Sequence, residues 1–183
     1  MTPDMSVFAK AISNGYPMAA VVGRREIMAV SERMFISSAY WDDNVGIAAS
    51  IATISELERR QAPAQFHRIG DDFRKRIAAA AAASGVQASC VGASAHLHIH
   101  FAIDDPDQAH LAQKLFVQEN ARRGLILSTG LFFNCAHDTE ALEFTEKVVA
   151  ETFSLIGEGL RLGDLSTRVD SKIREDSFRR LVR

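Results

Sequence analysis

The sequence predicts a fold of the α/β to α+β class, on three observations. A long stretch, about Asn44 to Arg60, carries Ile47, Ile51, Ile54 and Leu57 with Ala48 and Ala52 at helical spacing. A second helical pattern resumes after Pro63 and runs from Gln65 through Phe73 into the alanines at 78–83. From Gln87 onward short strand patterns and helices follow in the order ββαβ…α, which suggests helices on one face of a mostly antiparallel sheet. The chain has 183 residues, 47% of them hydrophobic, enough for one domain or somewhat more with a real core.

Taken in order, about Arg24 to Arg33 reads as a short helix with Ile27, Val30 and Met34 on one face. Met34 to Trp41 reads as a short strand leading into a polar loop. Asp42, Asp43 and Asn44 are N-cap candidates for the long helix. Small residues in its first turns permit close packing against another element, and Glu56 and Arg60 form an i,i+4 pair. Gly85 closes the second helix. Ser89 to Val91 and Ala95 to Ile103 read as strands. The Asp104-Asp105-Pro106-Asp107 turn caps a helix from about Gln108 to Arg123, ended by Gly124. Leu125 to Leu127 reads as a strand, Ser128 to Cys135 as a loop with a little strand. Asp138 caps a helix over about Thr139 to Ile156. In the tail, 157–183, Leu165, Val169, Ile173 and Leu181 are spaced for a short helix docked on the body or on a partner, with Asp170 and Arg174 paired on its side. A frayed terminus is the alternative.

Composition excludes several classes. A net charge of −2 argues against a nucleic-acid binder. No run of about 18 apolar residues exists to span a membrane. MTPDMSVFAK does not read as a secretory signal. Cys90 and Cys135 make no disulfide framework and read as buried thiols, in keeping with a cytoplasmic protein.

The stretch with chemistry in it is Thr2 to Met28, centred on Lys10. Lys10 follows the apolar run Met5 to Ala9 and precedes the turn cluster Ser13-Asn14-Gly15-Tyr16-Pro17. A second apolar run, Met18 to Val22, ends at Gly23. Gly15 tolerates positive φ, and Pro17 restricts Tyr16. The flanking runs look buried. A free lysine titrates near about 10.4 and is protonated at neutral pH. Desolvation, or a cation such as Arg24 or Arg25, frees its lone pair for a carbonyl. The plainer reading is a surface lysine with its stem along an apolar wall.

His96, His98 and His100 alternate on one face of a strand. Same-face neighbours stand about 6.5–7 Å apart along a strand, and no cysteine or carboxylate completes a shell. No metal site is assigned. The face reads as exposed, or as a wall near a substrate entrance.

PDMSVFAKAISNGYPMAAVVGRREIM resembles the lysine segment of the class III aminotransferases, fold-type-I enzymes that use pyridoxal 5'-phosphate (PLP). The resemblance implies that Lys10 forms the internal aldimine and shuttles a proton between the substrate α-carbon and the cofactor. FISSAYWDDNVGIAASIATISELERR resembles the family's next segment, in which a loop threonine reaches the PLP phosphate of the neighbouring subunit. Matching on Ala48-Ala49-x-x-Ala52-Thr53 puts Ala39 where that threonine stands. Ala39 offers only its backbone N–H. Ser38 carries the nearest hydroxyl, on the opposite side of an extended segment. LFFNCAHDTEALEFTEKVV resembles the closing motif, with His137 at the start of the last helix.

The likeness covers about Thr2 to Ile156. It implies the C-terminal part of such an enzyme: residues 1–64 as the end of the PLP-binding large domain, 65–156 as the small α+β domain, and 157–183 as a helical tail. The ring aspartate, the Gly-Ser or Gly-Thr phosphate loop and the stacking aromatic lie well upstream of the lysine in the family. Asp4 is too close to Lys10 to be that aspartate. The implied reaction is amino-group transfer between an amino donor and a keto or aldehyde acceptor, or an aminomutase relative, in a homodimer. A separate N-terminal half would complete the site and cover exposed apolar surface. An inactive remnant and a non-catalytic oligomerisation or interaction module are the alternatives.

Overall fold

A computed structural model describes residues 2–170. The expectations for Ile173, Arg174 and Leu181 lie outside the described residues. The chain divides into two units, Met1–Ala62 and Pro63–Arg183.

In the first unit, strands β1 (Met5–Phe8) and β2 (Ala20–Gly23) pair antiparallel, with Met5 opposite Gly23 and Phe8 opposite Ala20. A 3-10 turn, Lys10–Ser13, opens the connection between them. Helix α1 (Arg25–Met28) continues into a second 3-10 turn, Ala29–Arg33, which together match the expected short helix. The runs flanking Lys10 are not buried, contrary to expectation: Val7 is 72% exposed, and Phe8, Val21 and Val22 are about half exposed. A two-stranded ribbon has two open faces, and apolar composition alone does not cover them. Residues 34–41 are irregular and end in a turn rather than forming the expected strand. Trp41 N–H donates to the Ser38 carbonyl, and Tyr40 N–H to the Ser38 hydroxyl. Such local bonds compete with a ladder that has no partner strand.

Helix α2 spans Asn44–Arg59, and the Asp43 carboxylate accepts from Val45 N–H as its cap. Glu56 holds Arg60 as expected, and Arg59 as well. The packed face is a correction. Gly46 and Ser50 are buried, whereas Ile51 is 63% exposed and Ile47 and Ile54 are also exposed. The small residues, not the isoleucines, meet the rest of the unit.

The second unit is built on α3 (Ala62–Ala83), which begins ahead of the expected Gln65 and carries Pro63 in its first turn, where a missing N–H costs nothing. Gly85 ends it at φ +67°, with Val86 N–H donating to the Ala81 carbonyl. Strands β3 (Ala88–Ala93), β4 (His96–Phe101) and β5 (Gly130–Phe132) form an antiparallel sheet in that order. On β4 the period of two holds: Leu97, Ile99 and Phe101 are buried, and His96, His98 and His100 take the other face. Helix α4 (Pro106–Arg122) is capped by the Asp105 carboxylate. Residues 125–127 are not the expected strand. Leu125 N–H closes the end of α4 on the Asn120 carbonyl instead. Arg74 of α3 donates to the Cys90 and Gly92 carbonyls, covering groups that an outer strand leaves open.

Helix α5 runs Thr139–Leu162, past the expected end at Ile156. A short α6 (Leu165–Arg168) follows, with Leu165 fully buried. Phe101, Phe116 and Phe153 meet at ring centroid distances of 5.8, 6.1 and 5.8 Å in the core. Burial pushes the Cys90 thiol up, which suits an inert core sulfur. No described helix is long and apolar enough to cross a membrane.

One acidic group ties α4 together. Glu119 is nearly buried and accepts from Gln118, Arg122 and Arg123. Burial pushes its carboxyl up, but the Gln118 amide and the two guanidiniums outweigh it, so the net shift is down. A depressed carboxylate contributes stability above its unfolded-state pKa and loses it as pH falls through the folded value. We expect Glu119→Gln to cost about 2 kcal/mol at neutral pH. It should also flatten the acid side of a urea-midpoint profile as pH falls below the ordinary glutamate range.

Candidate active site

The site is built on the connection between β1 and β2. Ala9 is extended, and Lys10 then enters the left-handed region at φ +56°. Only a few per cent of residues with side chains sit there, and the conformation costs about 1–2 kcal/mol. The turn that follows is closely bonded. Ile12 N–H donates to Ala9, Asn14 N–H to Ala11 and Tyr16 N–H to Ser13. The Ser13 hydroxyl donates back to the Tyr16 carbonyl, and Ser13 is fully buried. Asn14 ends the turn at φ +48°, a conformation asparagine tolerates. The Lys10 side chain is exposed. The result is an amine on a pinned turn, open to a carbonyl compound.

The turn lies against α2. Gly46 makes that possible, because a Cβ there would stand 2.5 Å from the Pro17 carbonyl oxygen. The close seat at Gly46 is the close packing that the small residues of the first turns led us to expect, a glycine at the start of a helix being its signal. The fully buried Ser13 is the part that sequence reasoning missed.

Arg24, a candidate cation, is engaged at 3.3 Å by Asp4. Asp4 thus has a partner in the same ribbon. Ser38 lines a groove of about 510 Å³ with Pro17, Met18, Tyr40, Trp41 and Asp43. Neither Lys10 nor Ala39 lines it. The structure therefore brings the end of the lysine turn to the Ser38 loop, but not the Lys10 side chain itself.

The histidine strand holds no metal cluster of three or more ligands among the described residues. His96 stacks on Phe132 at 4.0 Å and tilts against His98 at 4.4 Å. His137 precedes α5, within reach of the Asn134 side chain.

The family described as Aminotransferase class-III matches residues 1–156. The chain belongs to that family. It is 37% identical over 116 residues to 3-aminobutyryl-CoA aminotransferase of Cloacimonas acidaminovorans, covering 63% of this chain and 27% of that one. It is 26% identical to glutamate-1-semialdehyde 2,1-aminomutase 2 of Bacillus pumilus, covering 84% and 39%. The PLP internal aldimine form of FumI from Sphingopyxis sp. MTA144 superposes with a TM-score of 0.76 at 23% identity, covering 87% of this chain and 38% of that one.

This class III chain thus has the fold of the C-terminal part of a fold-type-I transaminase. It spans less than two fifths of the length of each of these three relatives.

Proposed function

We propose that the chain is the lysine-bearing part of a PLP-dependent class III aminotransferase or aminomutase, and that Lys10 is its cofactor lysine. The observation that carries this reading is the position of Lys10 within the family match: an exposed amine held in a left-handed conformation by a bonded turn. Strained backbone persists where surrounding structure over-determines it, and it clusters at functional sites.

The donor set fits PLP as a covalent anchor. A primary amine is the group that bonds the cofactor's aldehyde carbon, and this one is accessible on the turn. The Ser38 hydroxyl and the Ala39 N–H are the loop groups offered to a phosphate, in a subunit other than the one whose Lys10 is engaged. When bound, the cofactor supplies an electron sink for carbanion chemistry. Lys10 would hold it at rest, and once its Nζ is freed by the incoming amino substrate that amine would carry the proton to and from the substrate carbon. The rest of the reading follows the family. Residues 1–64 belong to the large domain, 65–156 form the small domain, and 157–183 follow it. The enzyme is a cytoplasmic homodimer acting on an amino donor and a keto or aldehyde acceptor, with the remaining cofactor contacts supplied by residues outside this sequence.

The test is to add PLP to the purified chain, reduce with borohydride and map the adduct by peptide mass spectrometry. Dominant labelling at Lys10 supports the reading. Equal labelling of the exposed Lys75 and Lys147, or none, overturns selective capture by this chain. The uncovered isoleucines of α2 favour a second reading, an association module. A chain that self-associates in sedimentation experiments without capturing PLP would establish that reading instead.

A further inference from the structure

Lys10 is held in an unfavourable backbone conformation, and the structure shows what holds it. The 3-10 turn that begins at Lys10 rests on α2. Farther along the same connection α2 is bare: Gly46 is buried, and an added Cβ would meet the Pro17 carbonyl oxygen at 2.5 Å and the Met18 Cβ at 3.3 Å. Backbone therefore sits directly on helix. Within the turn, Ser13 is fully buried, and its hydroxyl and carbonyl both bond Tyr16, one residue before Pro17. The path from α2 to Lys10 runs through main chain and the Ser13 hydroxyl. Gly46 seats Pro17, Tyr16 is tied to Ser13, and Ser13 ends the turn whose first residue is Lys10.

We propose that Gly46 and Ser13 are positioning residues for the Lys10 amine: helix α2 sets where the amine stands by seating the turn that carries it. The proposal rests on the reading of Lys10 as the cofactor lysine, but its geometry is independent of that reading. A helix interior ordinarily gains from glycine to alanine by about 1 kcal/mol. At Gly46 the steric cost to Pro17 acts against that gain and is passed along the turn. Displacing a reacting group by about 1 Å can cost on the order of a hundredfold in reactivity toward a positioned partner.

The experiment uses the full chain, as wild type, Gly46→Ala, Ser13→Ala and, as control, Ala48→Ser on the exposed side of α2. Ser13→Ala removes one oxygen and introduces no clash, so it decides the matter if Gly46→Ala fails to fold. The first readout is competitive acetylation with limiting acetic anhydride across pH, reported at Lys10 relative to Lys75 and Lys147. The expected result is a change of at least about threefold in the Lys10 ratio in both variants and not in the control. Circular dichroism should stay at the wild-type level. The second readout is PLP capture with borohydride, in which the share of label at Lys10 should fall about tenfold. If wild type captures no PLP selectively, the functional reading fails while the acetylation ratio still decides the positioning role. Lys10 ratios that match wild type in a folded Gly46→Ala and in Ser13→Ala overturn the proposal.

Discussion

Lys10→Ala leaves the chain folded and abolishes the borohydride-trapped PLP adduct in the segment around residue 10. Alanine keeps the Cβ and removes the amine, so the change is chemical. Lys10→Arg is expected to fail equally, because a guanidinium stays protonated and cannot bond an aldehyde carbon as an amine does. A third substitution separates chemistry from strain. Lys10 sits at φ +56°, which glycine adopts without penalty. Lys10→Gly should therefore be more stable than Lys10→Ala by about 1 kcal/mol while also losing the adduct. That difference, measured by hydrogen-exchange protection of residues 9–16, reads the energy stored at this position. Persistence of a trapped adduct in the Lys10→Ala segment would remove Lys10 from the site.

The second large effect concerns the unit from residue 63 onward. Two helical glycines there lie directly against main chain. A Cβ at Gly70 of α3 would stand 1.8 Å from the Ser94 carbonyl oxygen in the turn between β3 and β4. A Cβ at Gly157 of α5 would stand 1.9 Å from the Ser84 carbonyl oxygen at the end of α3. Backbone at those distances must move, and it is already committed elsewhere. Asp71 accepts a hydrogen bond from the Ser94 hydroxyl, and Ser84 N–H bonds the last turn of α3. We expect Gly70→Ala and Gly157→Ala each to cost about 3 kcal/mol, against a helix-propensity gain of about 1 kcal/mol. Gly85→Ala meets no atom within 4 Å and is strained only by its φ of +67°, so about 1 kcal/mol is expected. Urea-induced unfolding followed by circular dichroism checks all three. A Gly157→Ala midpoint equal to that of wild type would mean that α5 and the end of α3 do not pack as described.

Several features were legible in the sequence for local reasons. The caps at Asp43, Asp105 and Asp138 need only a carboxylate one residue ahead of a helix, and all three are seen. The β4 alternation is a property of the pleat and put three histidines opposite Leu97, Ile99 and Phe101. The Glu56–Arg60 pair follows from helical spacing. The stretch around Lys10 read, from its own pattern, as a surface lysine beside apolar runs; the family was legible there only through resemblance, and the family match over residues 1–156 bears that out.

Other features depend on what lies across from a segment, and spacing cannot show that. Met34 to Trp41 has the composition of a strand but no ladder to join, so it turns on itself through Ser38. Leu125 to Leu127 has the same composition and is taken up in closing α4. The sequence reading ends α5 at about Ile156, just before Gly157. The helix continues because that glycine is where Ser84 packs, and Gly159 two residues on admits Leu165 of α6. On α2 the periodicity correctly named a helix and pointed to its isoleucines as the packed face. The turn after Lys10 selected the glycine face instead, since only a surface without side chains lets a main-chain carbonyl come within contact. Helices, caps and strand faces are thus written in residue order. Which face is covered, where a glycine is obligatory and how the lysine is held are decided only when distant backbones meet, because close packing acts on atoms that sequence spacing does not bring together.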